Sequence, residues 1–477
     1  MEMAKESKGK ELQETLTHKW DNVWEVLEDK EKEKVFEVSE EYKDFLDKGK
    51  TEREAAKEII RLATEKGYIS IDEIIEKKIK PTPGMKIYAN NKNKAVALFV
   101  IGEEKLEKGM HIIGSHLDAP RLDLKQFPLY EDSGLALCKT HYYGGIKKYQ
   151  WVTLPLALHG VVMKEDGEKI DIVIGEDEED PVFFITDLLP HLAKDQMAKK
   201  MGEGITGEGL NLLVGSIPYK DDEINEKVKL NVLNILHEKY GIKEEDFTSA
   251  EFEVVPAGKS RDVGIDRSMV GGYGQDDRVC AFTSFKAILD VEKPNKTAVA
   301  LFVDKEEIGS VGNTSMESRF FENVVSELIY LTEEDYSELV VKRALANSWV
   351  LSADTLGGFD PNYPEVLDKM NAPFIGKGVT IVKYTGARGK GGSNDANSEY
   401  LAKIRKIFND NDVVWQMGEL GKVDQGGGGT IAYILANYGM EVVDCGVALL
   451  SVHAPYEIAS KADVYMTYKG YNAFFNA

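Results

Sequence analysis

Residues 303–310, Val-Asp-Lys-Glu-Glu-Ile-Gly-Ser, place two adjacent carboxylates, Glu306 and Glu307, just after the apolar run 297–302. Two neighbouring anions repel each other and resist losing water. A divalent cation beside them relieves both costs. One carboxylate can then hold the ion while the other handles a proton. Taken alone, the string describes a solvated acidic turn equally well. Other apolar runs change that balance: His116 closes 110–115, Asp354 closes 349–353 and His453 closes 446–452. Asp276, with Asp277 beside it, lies in a Gly-rich loop before a helix. Two His, two or three Asp and a Glu exceed the three protein ligands of a single catalytic zinc. A carboxylate shared between two ions about 3.5–4 Å apart accommodates the set, and such a pair activates water and polarises a carbonyl. Asp118 follows His116 by two residues, on the same face of an extended backbone, where it can orient His116 or tune a neighbouring carboxylate.

Side chains at strand ends are what an open α/β sheet offers a ligand. Residues 10–66 read as helices, with Leu12, Leu16, Trp20, Trp24 and Leu27 at helical spacing, and form a packing layer. Strands are expected at 86–90, 95–101 and 110–114. The character then changes: short β-like pieces at 152–163, 170–174 and 182–185 precede a Lys- and Glu-rich helix over 222–240. After the Gly-punctuated seam 264–274, helices over 277–291, 316–331, 393–408 and 430–438 alternate with strands ending at 306 and spanning 348–353, 413–416 and 445–452. Alternation of this kind predicts an α/β fold, a three-layer αβα sandwich around a mixed, largely parallel sheet. A β-rich domain over residues 122–262 is inserted between the catalytic segments 1–121 and 263–477.

Composition narrows the partners. The 477 residues carry a formal charge of -23, which repels nucleic acid and anionic membrane surfaces. The longest apolar runs, such as 95–101, are too short to cross a bilayer. Cys138, Cys280 and Cys445 form no CxxC and are odd in number, as expected of a reducing, cytoplasmic setting. Residues 386–393, Gly-Ala-Arg-Gly-Lys-Gly-Gly-Ser, lack the spacing of a phosphate loop. Gly426–Gly429 before Thr430 could offer bare backbone N–H groups to a substrate or simply make a tight helix start.

The strings GSHLDAP, GQDDRV, DKEEIGS, LSADTLGGFDPNYPE and SVHAPYEIAS, in this order, resemble the aspartyl aminopeptidase and vacuolar aminopeptidase I family of cocatalytic di-zinc aminopeptidases. The resemblance covers nearly the whole chain. It implies a zinc-exopeptidase-like catalytic domain with an interlocking insert, acting on peptides with a free N-terminus and assembled as a tetrahedral dodecamer built from dimers. It implies two divalent ions per subunit, Zn(II) with Co(II) or Mn(II) as substitutes. Asp276 would bridge them, His116 and Asp354 would complete one site, and Glu307 and His453 the other. Glu306 would be the general base, supported by Asp118. The family's insert contributes a histidine after a small apolar run to a neighbouring subunit's active site, and residues 156–159, Leu-Ala-Leu-His, nominate His159 as an oxyanion stabiliser in trans. His141 and His191 are left as structural. The run QGGGGT departs from the acidic-specific members, so the preferred N-terminal residue stays open. Two other readings stand beside this one: a different metal-dependent amidohydrolase, such as a deacetylase or a carboxypeptidase-like enzyme, and a non-catalytic multimeric scaffold.

Overall fold

A computed structural model describes residues 7–333 and 336–477; residues 1–6 of the charged N-terminal stretch lie outside it. The central sheet has nine strands in the order Ile69–Ser70, Lys86–Asn91, Ala95–Val100, Ala298–Val303, His111–His116, Trp349–Ser352, Glu441–Gly446, Val379–Val382 and Trp415–Met417. The strands Ala298–Val303, His111–His116, Trp349–Ser352 and Glu441–Gly446 run parallel to one another. Antiparallel pairings flank them on both sides. The sheet is therefore mixed around a parallel centre.

Alternation along these strands divides their side chains between two cores, as a period of two requires. Ala298, Ala300 and Phe302 face one helical layer, together with Val96, Leu98 and Leu351. Val299, Leu301 and Val303 face the other, together with Ala97, Phe99 and Val350. The first core is closed by helices Asp29–Lys48, Glu52–Glu65, Gln275–Leu289, Ser398–Asp410 and Lys461–Phe475. The second is closed by Ile71–Lys77, Phe320–Thr332, Glu338–Ala346 and Ala432–Ala436. Strands buried on both faces explain the near-continuous apolar runs that marked them in the sequence. Helix Glu52–Glu65 starts at a capping box, Thr51 and Glu54 each satisfying the other's backbone N–H. Lys8–Leu16 is helical but buries no residue, so this part of the N-terminal segment does not join the packing layer.

A second sheet of six antiparallel strands draws every strand from residues 121–256. Its core is separate, built on Trp151, Leu156, Leu158, Leu212 and Val254 among others. The expected strand over 182–185 forms only isolated bridges at Phe183 and Phe184. A third, five-stranded sheet runs Arg261–Val263, Met269–Gly272, Glu457–Ser460, Ala448–Leu450 and Leu356–Gly357. It corrects one expectation. The apolar run 445–452 is not one strand: Glu441–Gly446 ends in the central sheet, and Ala448–Leu450 begins in the small one. Gly446 is the break. A Cβ there would lie 2.0 Å from the carbonyl oxygen of Asp354, so only glycine lets the two backbones meet before the chain changes sheets.

That close approach is backbone against backbone, and no rotamer change can relieve it. Gly446→Ala should lower stability by at least about 1–3 kcal/mol, the usual cost of overpacking, seen as an earlier urea midpoint of the metal-free protein. An unchanged midpoint would contradict it.

Candidate metal centre

The carboxyl ends of the parallel strands deliver the first residues of the site. His116 is the last residue of His111–His116, Glu306 and Glu307 open a short 3-10 turn just past Ala298–Val303, and Asp354 lies just past Trp349–Ser352. Asp276 and Asp277 sit in the first turn of Gln275–Leu289 with non-helical backbone angles and a cis peptide bond between them. His453 arrives by another route. It lies in the turn between Ala448–Leu450 and Glu457–Ser460 of the small sheet, with a left-handed φ of 63°.

These residues converge. His116 Nε2 is 3.6 Å from Asp276 Oδ1 and 3.8 Å from both Asp354 Oδ1 and Glu306 Oε2. His453 Nε2 is 3.2 Å from Asp276 Oδ2 and 3.4 Å from Glu307 Oε1. Each oxygen of Asp276 thus faces a different histidine. Most of these separations exceed a good hydrogen bond. They match the roughly 3.4 Å expected between two ligands that each sit about 2.1 Å from one tetrahedral ion. Asp276 Oδ1, Glu307 Oε1 and Asp277 Oδ1 are buried and accept no hydrogen bond. Buried carboxylate oxygens without donors are costly, and a cation is the partner they fit. Ligand atoms of His116, Asp276 and Glu307 all lie within 4.8 Å of one another, as do those of His116, Asp277 and Asp354.

The surrounding bonds fix how the ligands point. His116 Nδ1 lies 2.9 Å from the Asp118 carbonyl oxygen, and His453 Nδ1 lies 3.0 Å from that of Gly145. A carbonyl only accepts, so each Nδ1 carries its proton and donates it, and each Nε2 turns into the cluster. The Asp118 carboxylate accepts the backbone N–H groups of Glu306 and Glu307, both at 3.2 Å, and the Tyr143 hydroxyl at 2.8 Å. Glu457 was missed by the sequence reading although it lies four residues past His453. Its two oxygens accept the backbone N–H of His453 at 2.8 Å and of Asp276 at 3.1 Å, which ties two residues of the cluster to one buried carboxylate. Asp277 accepts the His116 backbone N–H at 3.3 Å.

Electrostatics record the crowding. Burial, with Asp354, Asp118 and Asp276 nearby, pushes the Glu306 carboxyl up to about 8. Burial and the Asp276 charge raise Glu307 as well. Burial works against a charged His453, yet its bond to Asp276 and the charge of Glu307 lift it to about 10. Asp276 is held low despite burial because two histidines flank it.

His159, expected to act in a neighbouring subunit, stands apart from the cluster of its own chain. It is 2% exposed. Its Nδ1 lies 2.8 Å from Glu54 and its Nε2 3.1 Å from Glu176. Both ring nitrogens meet carboxylates of its own chain, between the second sheet and helix Glu52–Glu65. The histidines of this region that reach the surface are His141, His191 and His237. The two Gly-rich stretches meet each other: the Gly386 N–H donates to the Gly428 carbonyl at 2.9 Å. Gly427, Gly428 and Gly429 line a cavity of about 600 Å³ that also exposes Asp276, Glu306, Glu307, Asp354 and His453, a size suited to a small ligand or a peptide end.

Fold and site together define a metallohydrolase of the α/β exopeptidase type. The family described as "Aminopeptidase I zinc metalloprotease (M18)" matches residues 45–475, and the chain belongs to it: it is a zinc-dependent aminopeptidase, a hydrolase acting at peptide N-termini. A probable M18 family aminopeptidase 1 of Clostridium acetobutylicum is 56% identical over 461 residues, covering 97% of this chain and 99% of the relative. The crystal structure of an M18 aminopeptidase from Thermotoga maritima is 47% identical with a TM-score of 0.92, covering 96% of this chain and 100% of that one. The mApe1 of S. cerevisiae, solved as a dodecamer, shares the fold at 23% identity and a TM-score of 0.75, over 92% of this chain and 96% of that one. Family membership decides against the deacetylase, carboxypeptidase-like and scaffold readings. Among the described residues no helix is long and apolar enough to cross a membrane.

A metal ligand must shed its proton and a cation also draws one from a carboxyl beside it, so loading the metal-free protein should release protons at pH 7 from His453 and from the neighbouring Glu306. These groups bind protons more tightly than free side chains do, so the release should shrink as pH rises past about 8 for Glu306 and towards about 10 for His453. Below that window, metal affinity should rise about tenfold per pH unit for each proton displaced. Calorimetric Co(II) titrations in buffers of different ionisation enthalpy measure this directly.

Proposed function

We propose that the cluster holds two divalent ions, with Asp276 shared between them, His116 and Asp354 on one side and Glu307 and His453 on the other. The observation that carries this reading is Asp276 itself, whose two carboxylate oxygens face two histidines that approach from different sheets. Zn(II) suits the nitrogen and oxygen donors, and Co(II) or Mn(II) suit them too. When bound, such a pair supplies positive charge that acidifies water and polarises a peptide carbonyl.

The protein's own residues supply the rest. Glu306 lines the cavity, 3.8 Å from His116 Nε2 and more exposed than Glu307. We assign it the proton: its carboxylate takes one from the attacking water and passes it to the leaving amine. Asp118 supports this step by gripping the backbone N–H groups of Glu306 and Glu307. The remaining carboxylates make a strongly negative pocket, which favours a substrate's α-ammonium group and restricts cleavage to the first residue. Apolar and neutral lining from Leu356, Leu420, Val452, Thr355 and Thr385 receives that residue's side chain.

The solved dodecamer of mApe1 supports a dodecamer here, for which we propose tetrahedral symmetry with residues 122–262 as the dimerisation domain. Leu188, Leu189, Leu192, Met197 and Met201 are all more than half exposed in that region, as a self-associating surface would be. Three buried free cysteines support a cytoplasmic location.

Glu306→Gln should keep both ions and lose about 10²–10⁴-fold in kcat, whereas Glu307→Ala should lose metal as well. Equal metal loss in the two variants would sink the division of labour. An N-acetylated peptide should resist cleavage while its free-amine parent is hydrolysed, as followed by release of a fluorogenic amide.

A further inference from the structure

The second sheet approaches the metal cluster at the exit of strand Leu135–Tyr143. That strand pairs antiparallel with Arg121–Asp132, and the register sets Tyr143 opposite Arg121. Arg121 is three residues past Asp118, so the hairpin returns its far end to the segment that carries His116. Arg121 is itself locked, with Nε 2.8 Å from Asp123 and 3.2 Å from Glu253, and Nη1 3.4 Å from Glu52. Its guanidinium lies 3.9 Å from the centre of the Tyr143 ring, which aims the phenol at the neighbouring Asp118.

We propose that residues 143–145 are a positioning element for the metal cluster, so that the second sheet is a working part of the catalytic centre. Tyr143 acts on one side. Its hydroxyl donates to Asp118 Oδ2 at 2.8 Å, the same oxygen that takes the Glu307 backbone N–H. The bond fixes the rotation of a carboxylate on which the turn carrying Glu306 and Glu307 hangs. Gly145 acts on the other side, where its carbonyl takes the Nδ1 proton of His453 and leaves Nε2 directed at Asp276 and Glu307. Gly144 lies between them with φ 73°, and a Cβ there would stand 3.3 Å from Glu307 Cβ and Oε2. A Cβ at Gly145 would stand 3.2 Å from His453 Nδ1, so the strap passes close to the cluster at both glycines. Partners of this kind, one bond removed from the ion, are commonly worth 10–100-fold in metal affinity or activity.

This assignment rests on the two-ion reading, and Co(II) separates the two. Visible spectra and affinity are recorded while metal-free wild type, Tyr143→Phe and Tyr142→Phe are titrated with Co(II), and kcat and KM are then measured on a fluorogenic aminoacyl amide. Tyr143→Phe keeps the ring under Arg121 and removes one hydroxyl. It should bind Co(II) 10–100-fold more weakly with an altered spectrum, lower kcat about tenfold with KM nearly unchanged, and keep the metal-free melting temperature. Tyr142→Phe, whose ring is exposed, should match wild type. Gly144→Ala should weaken uptake of the Co(II) held by Glu307 and His453 more than that of the other. Wild-type spectrum, affinity and kcat in Tyr143→Phe, with two Co(II) bound by wild type, overturn this assignment alone. Fewer than two Co(II) in wild type overturn the two-ion reading and this assignment with it.

Discussion

Mutual repulsion among buried carboxylates is the constraint on which this structure turns. Asp276, Glu306, Glu307 and Asp354, with Asp277 and Glu457 behind them, crowd around two histidines at the floor of one cavity. No arrangement of their own hydrogen bonds neutralises so much charge, and several oxygens are left without donors. The remedy is positive charge from outside the chain. The protein therefore holds an electrostatic deficit that binding of a cation removes, which makes the folded state and the loaded state energetically linked. The three layers of secondary structure serve to keep those anions from moving apart.

Much of this convergence was legible in the sequence because the parallel strands end where the clustered side chains begin. His116, Glu306, Glu307 and Asp354 could be read off apolar runs that stop abruptly at a donor side chain, and those runs are strands buried on both faces. His453 was found by the same rule for a partly mistaken reason. Its apolar run spans two strands in two sheets, and only the glycine at 446 hints at the change. Hydrophobicity does not distinguish a long strand from two short ones joined at a sheet crossing.

The histidine of the second sheet shows what residue spacing leaves open. A strand residue after an apolar run looks alike in sequence whether it turns outwards to a second copy or inwards to its own helices. His159 turns inwards, and its partners Glu54 and Glu176 are distant from it in the chain. Glu457 and Tyr143 were out of reach for a related reason: each acts through backbone N–H groups or through another carboxylate, and such bonds leave no signature in residue spacing. Glu457, four residues past His453 in a turn of the small sheet, shows how close such a partner can lie without being recognised.

The chain departs for its second sheet at Arg121, five residues beyond His116, and leaves that sheet at Pro256, a short hairpin away from Asp276. Both splice points therefore abut ligand-bearing segments. A module inserted in this way cannot be traded for another, as a loop-borne domain can, without re-anchoring the segments that set His116, His453 and Asp276. Chimeras between members of the family should tolerate crossover points in the outer helices far better than at the two seams of the insert.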